Sequence, residues 1–403
     1  MNIIRPEEKA LLIWNLKLAR TAYISGEELE VLKKWGAGFA NPFTDRLVKL
    51  GVITNDNKAE IVNAIEISEN IKAPYNSFCA PESLHIELTE CCPLSCPMCY
   101  KSSTKSELPI NFLLDVIRQA SEMKVFQIAL GGGEPLVYPD LLTVVKEISR
   151  HKMASTITTS GFGLTNELVK ALSQAGLNHI QVSLSGSSDV VHSLSRSGFK
   201  YGIEALSILQ QFEISYGINW VARMDNIDDF PEMIVLAQAH RVDNINILRY
   251  KPSSGEDYAN IALSSEKTYL LERIIRNTKG IKIKVDSAFS NLRCKLNEQI
   301  SFMSGCGAGR RFLAVNACGE YAPCSHVNMK ESPTAHAEHL KHAWYHSENL
   351  AMFRNLSKNI TAPCNDCDYL NGCYGCRAII LAQIGDFNAG DEFCINAKAS
   401  IGR

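Results

Sequence analysis

The sequence has no apolar stretch approaching the roughly 20 residues that a membrane helix needs. It also lacks an excess of either charge: 41 Lys and Arg stand against 43 Asp and Glu, a formal net charge of -2. Neither a membrane partner nor a nucleic-acid partner is therefore expected, since the second leaves a strong basic footprint. Behind Met1 there is no small-residue cleavage site, and Glu7 and Glu8 come early, so a cytoplasmic protein without an export signal is expected. Low-complexity tracts and repeats are absent. Cysteine is missing before Cys79 and again between Cys99 and Cys294.

What is present sharpens those gaps. The chain has 403 residues, 46% hydrophobic and 21% charged, which predicts a folded protein of two to three domains. Its 14 cysteines are crowded: four fall between Cys91 and Cys99 and eight between Cys306 and Cys394. Without an export signal, clustered cysteines favour metal over disulfides.

From Leu84 to Arg249, strand-like runs (Leu84–Thr89, Val125–Leu130, Ala154–Thr159, His179–Leu184, Tyr216–Ala222, Asn244–Arg249) alternate with amphipathic helical stretches. The helices expected between them are Asn111–Met123, Pro139–His151, Asn166–Ala175, Tyr201–Phe212 and Asp228–His240. This pattern predicts an α/β protein with a parallel sheet, an open six-unit partial barrel whose working residues sit where strands end. Residues 1–75 read as a separate small unit. Helices are expected at Glu7–Ala19, at Glu27–Trp35 behind a Ser25/Glu28 capping box, and at Pro42–Leu50, with a strand at Val52–Ile53. The unit is winged-helix-like, or else a cap packed on the barrel. After Arg249 the alternation is expected to stop, with residues 256–300 bridging to an irregular cysteine-rich region, 301–403.

Directly after the first strand, Cys92, Cys96 and Cys99 have the spacing C-x3-C-x2-C. Three soft thiolates in one loop fall short of a zinc site's four ligands but suit a [4Fe–4S] cluster with one open iron. The spacing and its place in the chain resemble the radical S-adenosylmethionine (SAM) superfamily. The resemblance implies that the open iron binds SAM, whose reductive cleavage gives a 5′-deoxyadenosyl radical. Met98, where that family commonly has an aromatic residue, and the neighbouring Tyr100 are both candidates for contact with adenine. The second strand runs into Gly131-Gly132-Gly133-Glu134-Pro135, which resembles the family's GGE motif and implies that Gly132, Gly133 and Glu134 hold the SAM amino group. At later strand ends, Ser160 lies in a turn near SAM, and Ser183 and Ser185 stand where relatives bind ribose. Arg223 and Arg249 end strands on the same face, for the SAM carboxylate, a substrate or a plain salt bridge.

The C-terminal pattern, Cys306 through Gly319 to Cys324, then Cys364-x2-Cys367-x5-Cys373-x2-Cys376 and Cys394, resembles the seven-cysteine SPASM extension of peptide- and protein-modifying radical SAM enzymes. That resemblance implies two auxiliary [4Fe–4S] clusters, for three in all. Cys306, Cys324 and Cys376 hold the first and Cys364, Cys367, Cys373 and Cys394 the second. Cys294 completes the first; if it does not, one iron there stays open. Zinc knuckles are the alternative. Cys79, Cys91 and Cys318 have no role, and the stripe His336, His339, His342 and His346 reads as a solvated helix face.

These resemblances imply an enzyme that matures a ribosomal precursor peptide, with the 1–75 unit recognising its leader. Two auxiliary clusters offer a route for the electron released when a cross-link closes, carbon–carbon or thioether. A flavodoxin or ferredoxin is the implied electron donor. Formylglycine formation in sulfatases or cofactor-precursor maturation are the enzyme alternatives, and a zinc-binding scaffold is the alternative without catalysis.

Overall fold

The computed structural model describes residues 2–16, 20–39, 41–101, 105–252, 258–296, 305–327 and 340–396. Twelve strands run in chain order: β1 (Asn2–Glu7), β2 (Ala10–Asn15), β3 (Arg20–Ser25), β4 (Ser83–Thr89), β5 (Gln127–Gly132), β6 (Ala154–Thr159), β7 (His179–Ser183), β8 (Ser215–Ala222), β9 (Asn244–Arg249), β10 (Lys282–Val285), β11 (Phe312–Val315) and β12 (Tyr321–Ala322).

The parallel sheet expected from the alternation is there. β4 to β9 lie side by side in chain order, each parallel to the next. Helices Ile110–Glu122, Leu141–Arg150, Asn166–Ala175, Phe199–Leu209 and Phe230–Ala239 connect them. Odd and even residues of each strand part company, as a pleated strand requires. On β4, Leu84, Ile86 and Leu88 join the main apolar core with the helices. The intervening His85 and Glu87 leave that core, and His85 stacks on Phe312 at a centroid distance of 4.7 Å.

The alternation does not stop at Arg249. Helix Ser265–Asn277 leads into β10, which pairs parallel with β9 and adds a seventh unit. At the opposite edge β11, from the cysteine-rich region, pairs parallel with β4, and β12 folds back on it. The sheet thus has nine strands in the order β10-β9-β8-β7-β6-β5-β4-β11-β12, and its ends do not pair with one another. Only four residues long and half polar, Lys282–Val285 carries too weak a period to be read as a strand.

The N-terminal unit departs from expectation. Glu7–Ala19 is not a helix; β1, β2 and β3 form an antiparallel meander, followed by helices Glu27–Gly36, Pro42–Lys49 and Lys58–Ser68. The run Ala10-Leu11-Leu12-Ile13-Trp14 is apolar on both faces, so periodicity could not separate strand from helix. Its burial explains the composition. Leu11 and Ile13 pack with the unit's own helices, whereas Leu12 and Trp14 pack against Phe78, Phe126 and Ala154 of the barrel. The Ser25/Glu28 box is not made, because Gly26, at φ +58°, takes the cap position. Val52–Ile53 is a turn closed by the Val52 N–H on the Leu47 carbonyl. Cross-strand pairing with β2 leaves β1 and β3 as the two edges of this small sheet.

Candidate functional site

The loop after β4 is held on two sides. Gly133 N–H donates to Thr89 O (2.6 Å) and Glu134 N–H to Cys91 O (2.9 Å), tying it to the end of β5. A Cβ on Gly132 would stand 2.3 Å from Thr89 O, and one on Gly133 the same distance from Cys91 O. Glycine is required there because two backbones touch. On the other side Met98 N–H donates to Ser195 O (3.2 Å), Ser197 N–H to Cys96 Sγ (3.5 Å) and Ser197 Oγ to Ser95 O (2.6 Å). Cys92 and Cys99 are exposed and Cys96 half-buried, so the loop presents its thiols outward.

Beside this loop the strand ends bring the polar candidates together. Glu134 is buried, and its carboxylate accepts from Thr159 Oγ1 (2.6 Å), from Ser160 N–H (2.9 Å) and from Ser160 Oγ (2.5 Å). Ser183 and Ser185, both buried, follow on β7 and just beyond it. Asn226 ties them to the next strand by donating to the carbonyls of Ser185 (2.9 Å) and Val221 (2.8 Å). Arg223, one residue past β8, is 1% exposed. One of its nitrogens bonds Asp225, while Nε and Nη1 have no partner among the described residues. A buried guanidinium that spends one nitrogen on Asp225 and leaves two donors unused has room for a second anion, and a SAM carboxylate fits that requirement.

Met98 and Tyr100 turn toward the C-terminal region. Met98 packs against a cluster that includes Cys306 and Cys324. The Tyr100 ring lies 4.1 Å from that of His326. Between these segments two ion pairs sit inside the sheet's polar face, Glu87 with Lys101 and Lys251 with Asp286 (3.0 Å). Burial opposes the charge on Lys251, but Asp286, together with Cys376 and Cys324, outweighs it and holds the ammonium above its usual pKa. Burial lowers His85 to about 4, so it is neutral near pH 7. Neither pair nor His326 stood out in the sequence, because their elements lie far apart in the chain.

The C-terminal cysteines form two groups. Cys306, Cys324 and Cys376 lie within electrostatic reach of one another. Cys364, Cys367, Cys373 and Cys394 line one cavity, and Cys294 lines it with them. That is a correction to the expected company of Cys294. It lies on the buried face of helix Ser290–Lys295, directly after β10, which brings it to Cys373 rather than to Cys306. Sequence spacing could not decide this without the extra strand. Asp391 anchors the cavity: its N–H donates to Cys364 Sγ (3.2 Å), and its carboxylate binds the Arg249 guanidinium through two contacts, 2.6 and 3.3 Å. Arg249 is thereby engaged in a buried salt bridge with Asp391.

Burial pushes the thiols up, to about 11 for Cys306 and about 12 for Cys324 and Cys373. As thiolates they would need a cation at bonding distance; the donor chemistry of both groups suits a metal, while among the described residues no three His, Cys, Asp or Glu side chains are arranged to hold a single ion. No disulfide joins any of the fourteen cysteines. Cys79 is buried and Cys318 exposed, the latter near Ser106 Oγ (3.5 Å). Of the histidine stripe, His336 and His339 lie outside the described residues, and the His342 ring lies 4.8 Å from that of His346, tilted by 39°. Among the described residues no helix is long and apolar enough to cross a membrane.

Residues 86–237 match the family model described as the radical SAM superfamily. The fold is similar to a crystal structure of Streptococcus suis SuiB bound to S-adenosylmethionine, at 18% identity and TM-score 0.75 over 98% of both chains. SuiB bound to precursor peptide SuiA matches with the same figures. Native anSMEcpe with bound AdoMet and Cp18Cys peptide is similar at 15% identity and TM-score 0.62, over 78% of this chain and 94% of that one.

Proposed function

We propose, from the premise that residues 86–237 form a radical SAM domain, that this chain is a radical SAM/SPASM maturase that cross-links a ribosomal precursor peptide. A radical SAM domain uses a [4Fe–4S] cluster and SAM, and these supply the hydrogen-abstracting chemistry when bound.

The chain's own residues divide the remaining work. Cys92, Cys96 and Cys99 hold the cluster in a loop fixed between Gly133 and Ser197. Glu134, oriented by Thr159 and Ser160, faces the SAM ammonium, and the spare donors of Arg223 take its carboxylate. Ser183 and Ser185 border the ribose. On the side of the C-terminal region Tyr100 lies beside His326, and Met98 packs on the apolar cluster that contains Cys376. Cys306, Cys324 and Cys376 hold one auxiliary cluster. Four of the five thiols around Cys373 hold the other, which leaves the first with a position no cysteine fills. Positioning a single C–H bond is the protein's main contribution.

The observation that carries the reading is the pair of cysteine groups set beside the strand ends of the radical SAM domain. The N-terminal unit supports a peptide substrate over a sulfatase: the similarity to SuiB runs through it, whereas that to anSMEcpe spans 78% of the chain. SuiB and anSMEcpe each have a structure with a bound peptide. The free edges of β1 and β3 suit a leader strand added by backbone pairing.

Reduced enzyme incubated with SAM and a short peptide encoded beside its gene, where one is found, is expected to form 5′-deoxyadenosine and a product two hydrogens lighter, and C96A neither. Unchanged peptide mass without deoxyadenosine overturns the reading. Conversion of a Cys or Ser to formylglycine selects the sulfatase alternative. Zinc without sulfide selects the scaffold.

A further inference from the structure

The C-terminal region buries more positive charge than it neutralises. Among its described residues Arg310, Arg354 and Arg377 are all buried, against one buried carboxylate, Asp391. That carboxylate is already engaged by Arg249 from the barrel. Arg310 satisfies itself locally, donating to Asn76 O and Oδ1 (3.1 Å each) beneath the Tyr374 ring. Arg354 donates to Gly309 O (2.8 Å) and lies over Trp344, and of its buried nitrogens only Nη2 lacks a partner among the described residues.

Arg377 is different. It opens helix Arg377–Ile384 directly after Cys376 and is 1% exposed. Nη1 donates to the carbonyls of Phe387 and Ala389, both at 2.7 Å, which fixes the guanidinium in place. Nε and Nη2 have no partner among the described residues. Gly375 leaves room for the group, since a Cβ there would stand 2.8 Å from Nη2. The charge acting on it most strongly is Asp391, which Arg249 already engages, and the cysteines within its electrostatic reach come from both groups, Cys364 from one and Cys306 and Cys376 from the other. A guanidinium stays charged at any working pH. Burying it with two donors unused is costly unless an anion meets them.

We infer that Arg377 is a charged bridge between the two cysteine groups, and that its Nε–H and Nη2–H donors serve the sulfur of the iron–sulfur groups seated on either side. This rests on the proposed auxiliary clusters. A thiolate-ligated cluster is anionic and becomes more so on reduction. A fixed cation between two of them therefore favours the reduced state of both, and keeps their potentials close enough for an electron to pass. Arg377 is thus a positioning and tuning residue, remote from SAM.

The test is a redox titration followed by electron paramagnetic resonance on reconstituted wild type, R377K and R377M, with iron and sulfide counted in each. In R377M the auxiliary signals are expected to titrate lower, with about a tenfold smaller ratio of reduced to oxidised cluster at a fixed solution potential. R377K, which keeps the charge and loses the fork, should fall between, and the Cys92–Cys96–Cys99 signal should not move. Auxiliary midpoints unchanged in a fully loaded R377M overturn the inference, as does an equal shift of all three signals. If R377M does not load, R377K decides: an unchanged auxiliary midpoint there overturns it. Wild type that binds zinc rather than iron overturns the proposed function itself, a distinct failure.

Discussion

The barrel and the cysteine-rich C-terminal region achieve burial by opposite means. The barrel closes a continuous apolar core, from Leu84 on β4 through Ile157 and Trp220 to Leu271. Its polar groups gather at the strand ends and mostly bond one another, as Glu134 does with Thr159 and Ser160. The C-terminal region packs a smaller cluster, in which cysteines themselves are members. It buries three arginines against one aspartate. An apolar core stabilises a fold with no outside help, whereas buried thiols and unmatched guanidiniums are stable only with a bound partner. Arg223 apart, one region is held by its apolar core; the other leaves thiols and guanidinium donors for what it binds.

Removing metal should break that contrast most visibly. Chelation, or the substitution C373A, is expected to make residues 305–396 sensitive to limited proteolysis while 84–249 stay resistant; equal resistance of both regions would show that the C-terminal core suffices alone. Next in size, Trp220→Ala in the barrel core should cost about 3–5 kcal/mol in denaturant unfolding, with the iron of the C-terminal groups retained in the folded fraction.

D391N sharpens the boundary between the regions. It strips the charge partner of Arg249 and should destabilise by about 3 kcal/mol, with a loss of iron from the Cys294-containing group ahead of the other, followed by stepwise chelation. The smallest effect is expected at Lys267–Asp228, a pair at 2.6 Å in which Asp228 is largely exposed. Lys267→Met should change stability by about 0–1 kcal/mol, a control for charge removal where solvent screens it.

Much of the barrel was legible because its signals are local. β6 and β9 begin and end where the runs Ala154–Thr159 and Asn244–Arg249 do. Apolar alternation, helical period and turn residues are written within a dozen positions of each other. The cysteine loop is of the same kind, three cysteines within eight residues. β1 and β2 failed the same test because a run buried on both faces has no period to read, and only its partners above and below settle it.

Strand–helix alternation and the grouping of cysteines were legible in the sequence alone, and they sufficed for an α/β protein with clustered thiols. Tertiary structure alone decided that β11 returns to pair with β4, that β10 extends the sheet, and that Cys294 therefore meets Cys373. It alone set Arg377 between the two cysteine groups with two donors unspent. The reason is range: strand and helix periods are fixed by neighbours in the chain, whereas pairing across a sheet and the balance of buried charge depend on segments tens to hundreds of residues apart, which meet only when the whole core closes.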